Sequence, residues 1–155
     1  MSKSWPLVAL SGIAEPVSRP IPVQPGTSYR TIGVRWWGGG AYERETIDGA
    51  QTAAKTLSIV KTGDLIINKI WVRHGSTAIA TESVDGCAAS GEFPTFNLNR
   101  KLIEPRWLHW LTQTRSFWND CDELSRGTSG KNRIKPELFL TIRIPLPPLA
   151  EQQRI

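Results

Sequence analysis

Pro145-Leu146-Pro147-Pro148-Leu149-Ala150-Glu151-Gln152-Gln153-Arg154-Ile155 decides how the rest of this chain is read. Proline fixes φ and has no backbone donor, so Pro147 and Pro148 belong at the start of a helix and not inside one. The residues that follow are helix formers or neutral, and Glu151 falls in the first turn, where the helix dipole favours negative charge. The apolar run before the prolines, residues 138–144 with Arg143 interrupting, predicts a strand. A helix of two turns does not stand alone in water. The expectation is a domain over residues 1–144, with 145–155 the entrance of a longer helix that the chain cuts short.

Outward from there the pattern is mixed. Residues 5–14 predict a short apolar helix or turn ending near Glu15-Pro16. Pro20, Pro22 and Pro25 predict an extended segment that cannot be a central strand. Residues 29–34 read as a strand. A loop follows over 35–44, with glycines at 38, 39 and 40 among Trp36, Trp37, Tyr42, Arg35 and Arg44. Consecutive glycines lose much backbone entropy on ordering, so this loop is expected to be mobile. Residues 56–60 and 65–70 predict two strands joined by a hairpin-type turn at Lys61-Thr62-Gly63-Asp64. Further strands are expected at 77–81, 87–90 and 93–99. After Pro105, Trp107, Leu108, Trp110, Leu111, Thr114, Phe117 and Trp118 recur near a 3.6 period, with Arg106, His109, Gln113 and Arg115 opposite. That helix, continuous or restarted, is expected to end at a left-handed Gly127, and a short helical turn is expected within 134–140. The class is α+β: a strand-rich single globular domain with late helices.

At 155 residues the chain can bury a real core. Its seven tryptophans are expected mostly to fill that core and its rim. Cys87 and Cys121 lack metal-ligand spacing and are expected to be buried free thiols in a reducing cytoplasm. No apolar run is long enough to span a bilayer, and the N-terminus has no signal-peptide core. Net charge is +5, with the cations Arg126, Lys131, Arg133 and Lys135 grouped in 124–136 without an acid among them. Acids gather elsewhere, at Glu43, Glu45, Asp48, Glu82, Asp85 and residues 120–123, so a polarised surface and an anionic partner are expected.

Enzyme signatures are missing. There is no phosphate-binding Gly-rich loop followed by lysine, no dinucleotide fingerprint, no amino-methyltransferase tetrapeptide and no nuclease pattern. His74 and His109 have no cysteine or carboxylate at ligand spacing. Cys121 lies among Asp120, Asp122 and Glu123, whose charge suppresses a thiolate. Binding chemistry remains. In Gly127-Thr128-Ser129-Gly130-Lys131-Asn132-Arg133, two glycines let successive backbone amides converge, two hydroxyls add donors, and cations alternate along the exit. Thr128, Ser129, Lys131, Arg133 and Lys135 are therefore candidate phosphate ligands; the competing interpretation is a solvated loop with a capping glycine. Two loops are candidates for reading bases. Arg35, Tyr42 and Arg44 lie on the first, and Arg73, His74 and Ser76 lie on the second, after the strand at 65–70. Arginine can fork onto a guanine edge, and histidine or serine can bond to either base. Trp36 and Trp37 either pack the loop base or stack on a ligand.

The opening stretch strongly resembles the point where a target recognition domain meets a spacer helix in specificity subunits of type I restriction–modification enzymes. Gly63-Asp64-Leu65-Ile66-Ile67-Asn68-Lys69-Ile70 and the turn at 127–135 resemble further segments of that family, as do Trp5-Pro6-Leu7-Val8-Ala9-Leu10 and Tyr29-Arg30-Thr31-Ile32-Gly33-Val34. The resemblance implies sequence-specific recognition of double-stranded DNA, one half of a split site per domain, without catalysis by this chain. It implies DNA methyltransferase (modification) subunits as partners, a restriction subunit in the full complex, and a second recognition domain or a second copy met through spacer helices. No cofactor is expected here; S-adenosylmethionine and ATP with magnesium would sit on partner subunits. A bacterial or archaeal cytoplasm is implied, with no membrane. The chain departs from the full pattern in carrying one domain and almost no spacer. A reading from another class is a nonenzymatic protein-interaction module that docks through the aromatic loop and the Pro-rich segment.

Overall fold

A computed structural model describes residues 5–126 and 132–154. The described strands and helices follow in the order β1 (Leu7–Ala9), β2 (Ala14–Val17), β3 (Pro20–Pro22), β4 (Ser28–Val34), β5 (Ala41–Asp48), β6 (Thr56–Ile59), β7 (Leu65–Ile67), β8 (Thr77–Ile79), β9 (Ala88–Ala89), β10 (Thr95–Leu98), α1 (Pro105–Thr112), α2 (Arg115–Ser125), α3 (Pro136–Phe139), β11 (Arg143–Pro145) and α4 (Leu149–Gln152). The class is α+β, with the strands largely before the helices. Three sheets form: β3-β6-β9-β4-β5, β2-β10-β7-β8, and a pair of β1 with β11.

β7 explains how two sheets and the helices share one interior. Its three residues are all buried, and successive strand side chains point to opposite faces. Leu65 and Ile67 enter the core beneath the helices, among Phe96, Leu108, Phe117 and Phe139. Ile66 enters a second core with Ile32, Val34, Val60 and Cys87, facing the larger sheet. Burying such side chains contributes about 1.5–3 kcal/mol each.

Several elements differ from the expectations. Residues 5–14 are extended, because β1 pairs with β11 (Val8 opposite Ile144) and β2 pairs with β10. Only Leu10–Gly12 coils, as one 3-10 turn. Residues 41–48 are strand and not loop. β5 is the outer strand of its sheet, and its exposed Glu43, Arg44, Glu45 and Thr46 suit an edge that must not recruit another chain. The turn at 61–64 is no hairpin: β6 lies in the larger sheet and β7 in the smaller. Gly63 takes φ +93°, and Asp64, 3% exposed, accepts from Arg19 at 2.8 and 3.1 Å and from the Lys61 amide at 3.0 Å. That carboxylate clamps the crossing between sheets. The run at 138–144 is divided between α3, where Phe139 is buried, and the short β11.

β3 sits at a sheet edge, as its prolines require. The late helix breaks where Thr114 caps α2 by accepting from the Phe117 amide. α2 ends at Ser125; Gly127 lies outside the described residues. Cys87 and Cys121 are buried and free. Trp107 is buried, Trp5 and Trp118 pack half-buried against the core and Trp71 is half-buried, in line with the expectation for most tryptophans, while Trp36, Trp37 and Trp110 are exposed. Among the described residues, no helix is long and apolar enough to cross a membrane.

α4 is short but firmly held. Gln152 is wholly buried; its carbonyl oxygen accepts from the Glu104 amide at 2.7 Å, and its NH2 donates to Leu102 and Pro147 carbonyls at 2.9 and 2.8 Å. It ties the double-proline turn to the entrance of α1. Trp107 donates to the Pro145 carbonyl and Trp5 to Glu151, closing the same joint.

Candidate nucleic-acid interface

The two loops singled out in the sequence form one structure. The turn between β4 and β5 is closed by Arg35 donating its amide to Gly40, and Gly39 donating to Trp36. It is then bolted to the 3-10 turn Trp71–His74, because the Trp37 amide donates to the His74 carbonyl at 2.9 Å and Gly38 donates to Gly75 at 3.2 Å. Gly75 must be glycine here. Its φ is +74°, and a Cβ would stand 2.9 Å from the Trp37 backbone. Gly38, at φ +75°, similarly leaves room for the Gln113 side chain. These glycines sit in a turn fastened by backbone bonds to the neighbouring 3-10 turn.

Aromatic rings fill the junction. The His74 ring stacks on Trp37 (5.4 Å, 20°) and meets Trp36 and Trp71 at 4.7 and 5.3 Å. Trp118 of α2 stands edge-on to Trp37 at 4.8 Å. Trp71 lay on the second candidate loop without a role of its own, and Trp118 and Gln113 were not foreseen as parts of this site. The tryptophan next to Val72 and the helical period through Trp118 were signals, but both equally suit a core.

The candidate side chains divide by exposure. Arg35 is exposed, with its guanidinium 4.2 Å over the ring of Tyr42, itself half-buried above Gly33. Arg44 is exposed where a bulge sets Arg44 and Glu45 opposite Thr31; such bulges re-aim side chains. Arg73 is mostly covered, 3.9 Å from Asp122 and 5.5 Å from the Trp71 ring. His74 is inside the aromatic cluster. Ser76 is wholly buried and donates to the Val34 carbonyl at 2.9 Å. Its hydroxyl is committed to the fold, which removes it as a base-reading group.

Of the candidate phosphate ligands, Thr128, Ser129 and Lys131 lie outside the described residues. Arg133 is exposed and pairs with Glu92 at 2.9 Å. Lys135 is exposed at the start of α3. The charge sorting seen along the sequence does not persist in space: Glu92 meets Arg133, and Asp122 meets both Arg126 (2.9 Å) and Arg73. The described flanks of the glycine turn nevertheless adjoin the aromatic junction. α2, which leads into it, packs on the 3-10 turn, and Ile134 beyond it donates its amide to Lys69 at 3.0 Å.

Burial drives the Cys121 thiol far above its ordinary pKa, and Asp120 adds to the shift, so the sulfur is a packing group. No cluster of three or more His, Cys, Asp or Glu that could hold a metal ion occurs among the described residues.

No family model and no curated protein matches the chain. Solved structures do. The HsdS subunit from Thermoanaerobacter tengcongensis aligns over 99% of this chain and 40% of its own, with TM-score 0.77 and 22% identity. A chain from a structure of complex assembly and conformational transition in the type I R-M system aligns over the same shares, with TM-score 0.75 and 22% identity. This chain spans about 40% of the length of each. It has, from end to end, the fold of one part of an HsdS subunit.

Proposed function

We propose that this chain is a target recognition domain of a type I restriction–modification specificity subunit, reading one half of a split site in double-stranded DNA. One observation carries the proposal: the likeness to HsdS runs through 99% of the chain. The joined loops support it further, because they set Arg35, over the Tyr42 ring, beside an aromatic base fastened by backbone bonds, with Arg44 exposed further along β5, and firm mounting is what discrimination between bases requires. Arg73 belongs to the same surface as a mostly covered contributor. Lys131, Arg133 and Lys135 hold the phosphate backbone, with Thr128 and Ser129 as hydroxyl donors. Residues 1–144 form the recognition domain and 145–155 open the spacer helix. In this reading the chain directs adenine methylation and restriction in a bacterial or archaeal cytoplasm and performs neither. Methyltransferase and restriction subunits carry S-adenosylmethionine, ATP and magnesium, and spacer helices join a second recognition domain or a second copy.

The test is equilibrium binding of the chain to a randomised duplex pool across a salt series. Log affinity should fall linearly with log salt, by about 0.9 per phosphate neutralised. Lys131→Ala with Arg133→Ala should weaken all duplexes alike and flatten that slope. Loss of discrimination at unchanged affinity would contradict the backbone role. A second reading, a protein-docking module, draws on the exposure of Trp36 and Trp37; salt-insensitive capture of a protein partner, with no duplex binding, would favour it.

A further inference from the structure

We propose that Trp36 and Trp37 form a preorganised aromatic wedge that stacks against an opened base step of the duplex. This rests on the DNA-recognition reading and adds a mode of binding to it. Trp37 adopts φ +55°, the one positive value among non-glycine residues described. A bulky side chain holds that strained conformation only when its surroundings over-determine it, and such strain concentrates at ligand sites. Here the surroundings are the backbone bonds to His74 and Gly75. Trp36 and Trp37 are 44% and 55% exposed, with the His74 ring backing that of Trp37.

Charge favours a polyanion over an apolar protein face. Residues 34–42 and 69–76 contribute Arg35, Lys69 and Arg73 and no carboxylate; Asp122 lies 3.9 Å from Arg73, and Glu43, next along β5, is paired with Arg30. At the foot of the wedge, Arg73 Nε, His74 Nδ1 and Gln113 Oε1 are buried without a hydrogen-bond partner among the described residues. Inserted apolar side chains unstack a step and kink the duplex, and rings stack on every base without regard to its identity. The wedge therefore supplies affinity and bending, while neighbouring side chains supply choice.

The experiment uses the chain with the randomised duplex pool and an end-labelled duplex selected from it, reading affinity across salt and bend angle by energy transfer. Trp36→Leu with Trp37→Leu keeps apolar bulk and removes the π-faces; Trp36→Phe with Trp37→Phe keeps smaller ones. The leucine pair should lose about 5- to 100-fold in affinity with an unchanged salt slope, while its smaller apolar bulk keeps only part of the bend. The phenylalanine pair should retain most of both. Trp37→Gly, which relieves the backbone, provides a variant whose fold is checked by circular dichroism and which should also bind less tightly. Leucine variants that bind and bend like the wild type would overturn the wedge while leaving DNA recognition intact. A flattened salt slope would reassign the pair to positioning phosphate ligands and overturn it too. A wild-type chain that binds no duplex would overturn the DNA reading and the wedge together.

Discussion

Replacing Gln152 with alanine should unfold the domain earlier, by an amount the structure allows to be worked out. The side chain is fully buried and makes three hydrogen bonds, at 2.7, 2.9 and 2.8 Å. Alanine strands the Glu104 amide and leaves the Leu102 and Pro147 carbonyls short of a donor. An abandoned buried polar group costs about 1–3 kcal/mol, but partial relaxation and water entry keep the three from adding in full. With the small cavity included, about 3 kcal/mol is expected. For a domain of this size each kcal/mol moves Tm by about 2–4 °C, so Tm should fall by about 6–12 °C. Gln153 provides a control next door: its side chain is exposed, and Gln153→Ala should stay within about 0.5 kcal/mol. The assay is paired thermal and urea unfolding of both variants. A Gln152→Ala domain that melts within about 1 °C of wild type, or a Gln153→Ala domain that falls equally, would refute the reasoning.

Asp64→Ala removes the fork from Arg19 and the acceptor of the Lys61 amide; because Arg19 is a quarter exposed and can rehydrate, the loss should be about 2 kcal/mol in urea unfolding, below that of a fully buried pair. An unchanged midpoint would show that the crossing between sheets does not depend on the carboxylate. Gly75→Ala forces a side chain into the left-handed region and against the Trp37 backbone, so it should cost about 2 kcal/mol and raise acrylamide quenching of tryptophan fluorescence. Unaltered quenching would mean the turn can part from Gly75 without consequence. Burial raises the pKa of Cys87 and Cys121, the neighbouring Asp120 adding to the effect at Cys121, so the folded chain keeps protons that the unfolded chain releases. Stability from these thiols is complete below about pH 8.5 and declines as pH rises above it, and neither should react with a thiol reagent before unfolding. Stoichiometric labelling of the native domain at neutral pH would contradict that.

Some of this molecule was legible in its residues, for identifiable reasons. β4, β7 and α1 carry strong patterns, and Pro147-Pro148 marked the start of α4 correctly. β5 escaped because both its faces are polar, and an edge strand with charges outward has no alternation to detect. β1 and β2 escaped because a short apolar run suits a helix or a strand equally until its partner, β11, is known. The turn at 61–64 uses the same residues whether the chain returns to its neighbour or crosses to another sheet. At the candidate interface, the two arginine-bearing loops were found but their union was not. It is made by backbone bonds between residues 37–38 and 74–75, which no side-chain motif announces. Ser76 was drawn into the candidate set by proximity along the chain, and its inward turn depends on Val34, forty-two positions away.

The fastening between those loops runs through peptide groups: amides at 37 and 38 meet carbonyls at 74 and 75. Every amino acid but proline brings the same amide, so the platform is largely indifferent to what projects from it. The exposed side chains at 35 and 36 should be exchangeable while the scaffold underneath stays assembled, provided that the two small residues at 38 and 75 are retained. A recognition surface mounted in this way could acquire a new preference by substitution at its tip without having to solve its folding problem again.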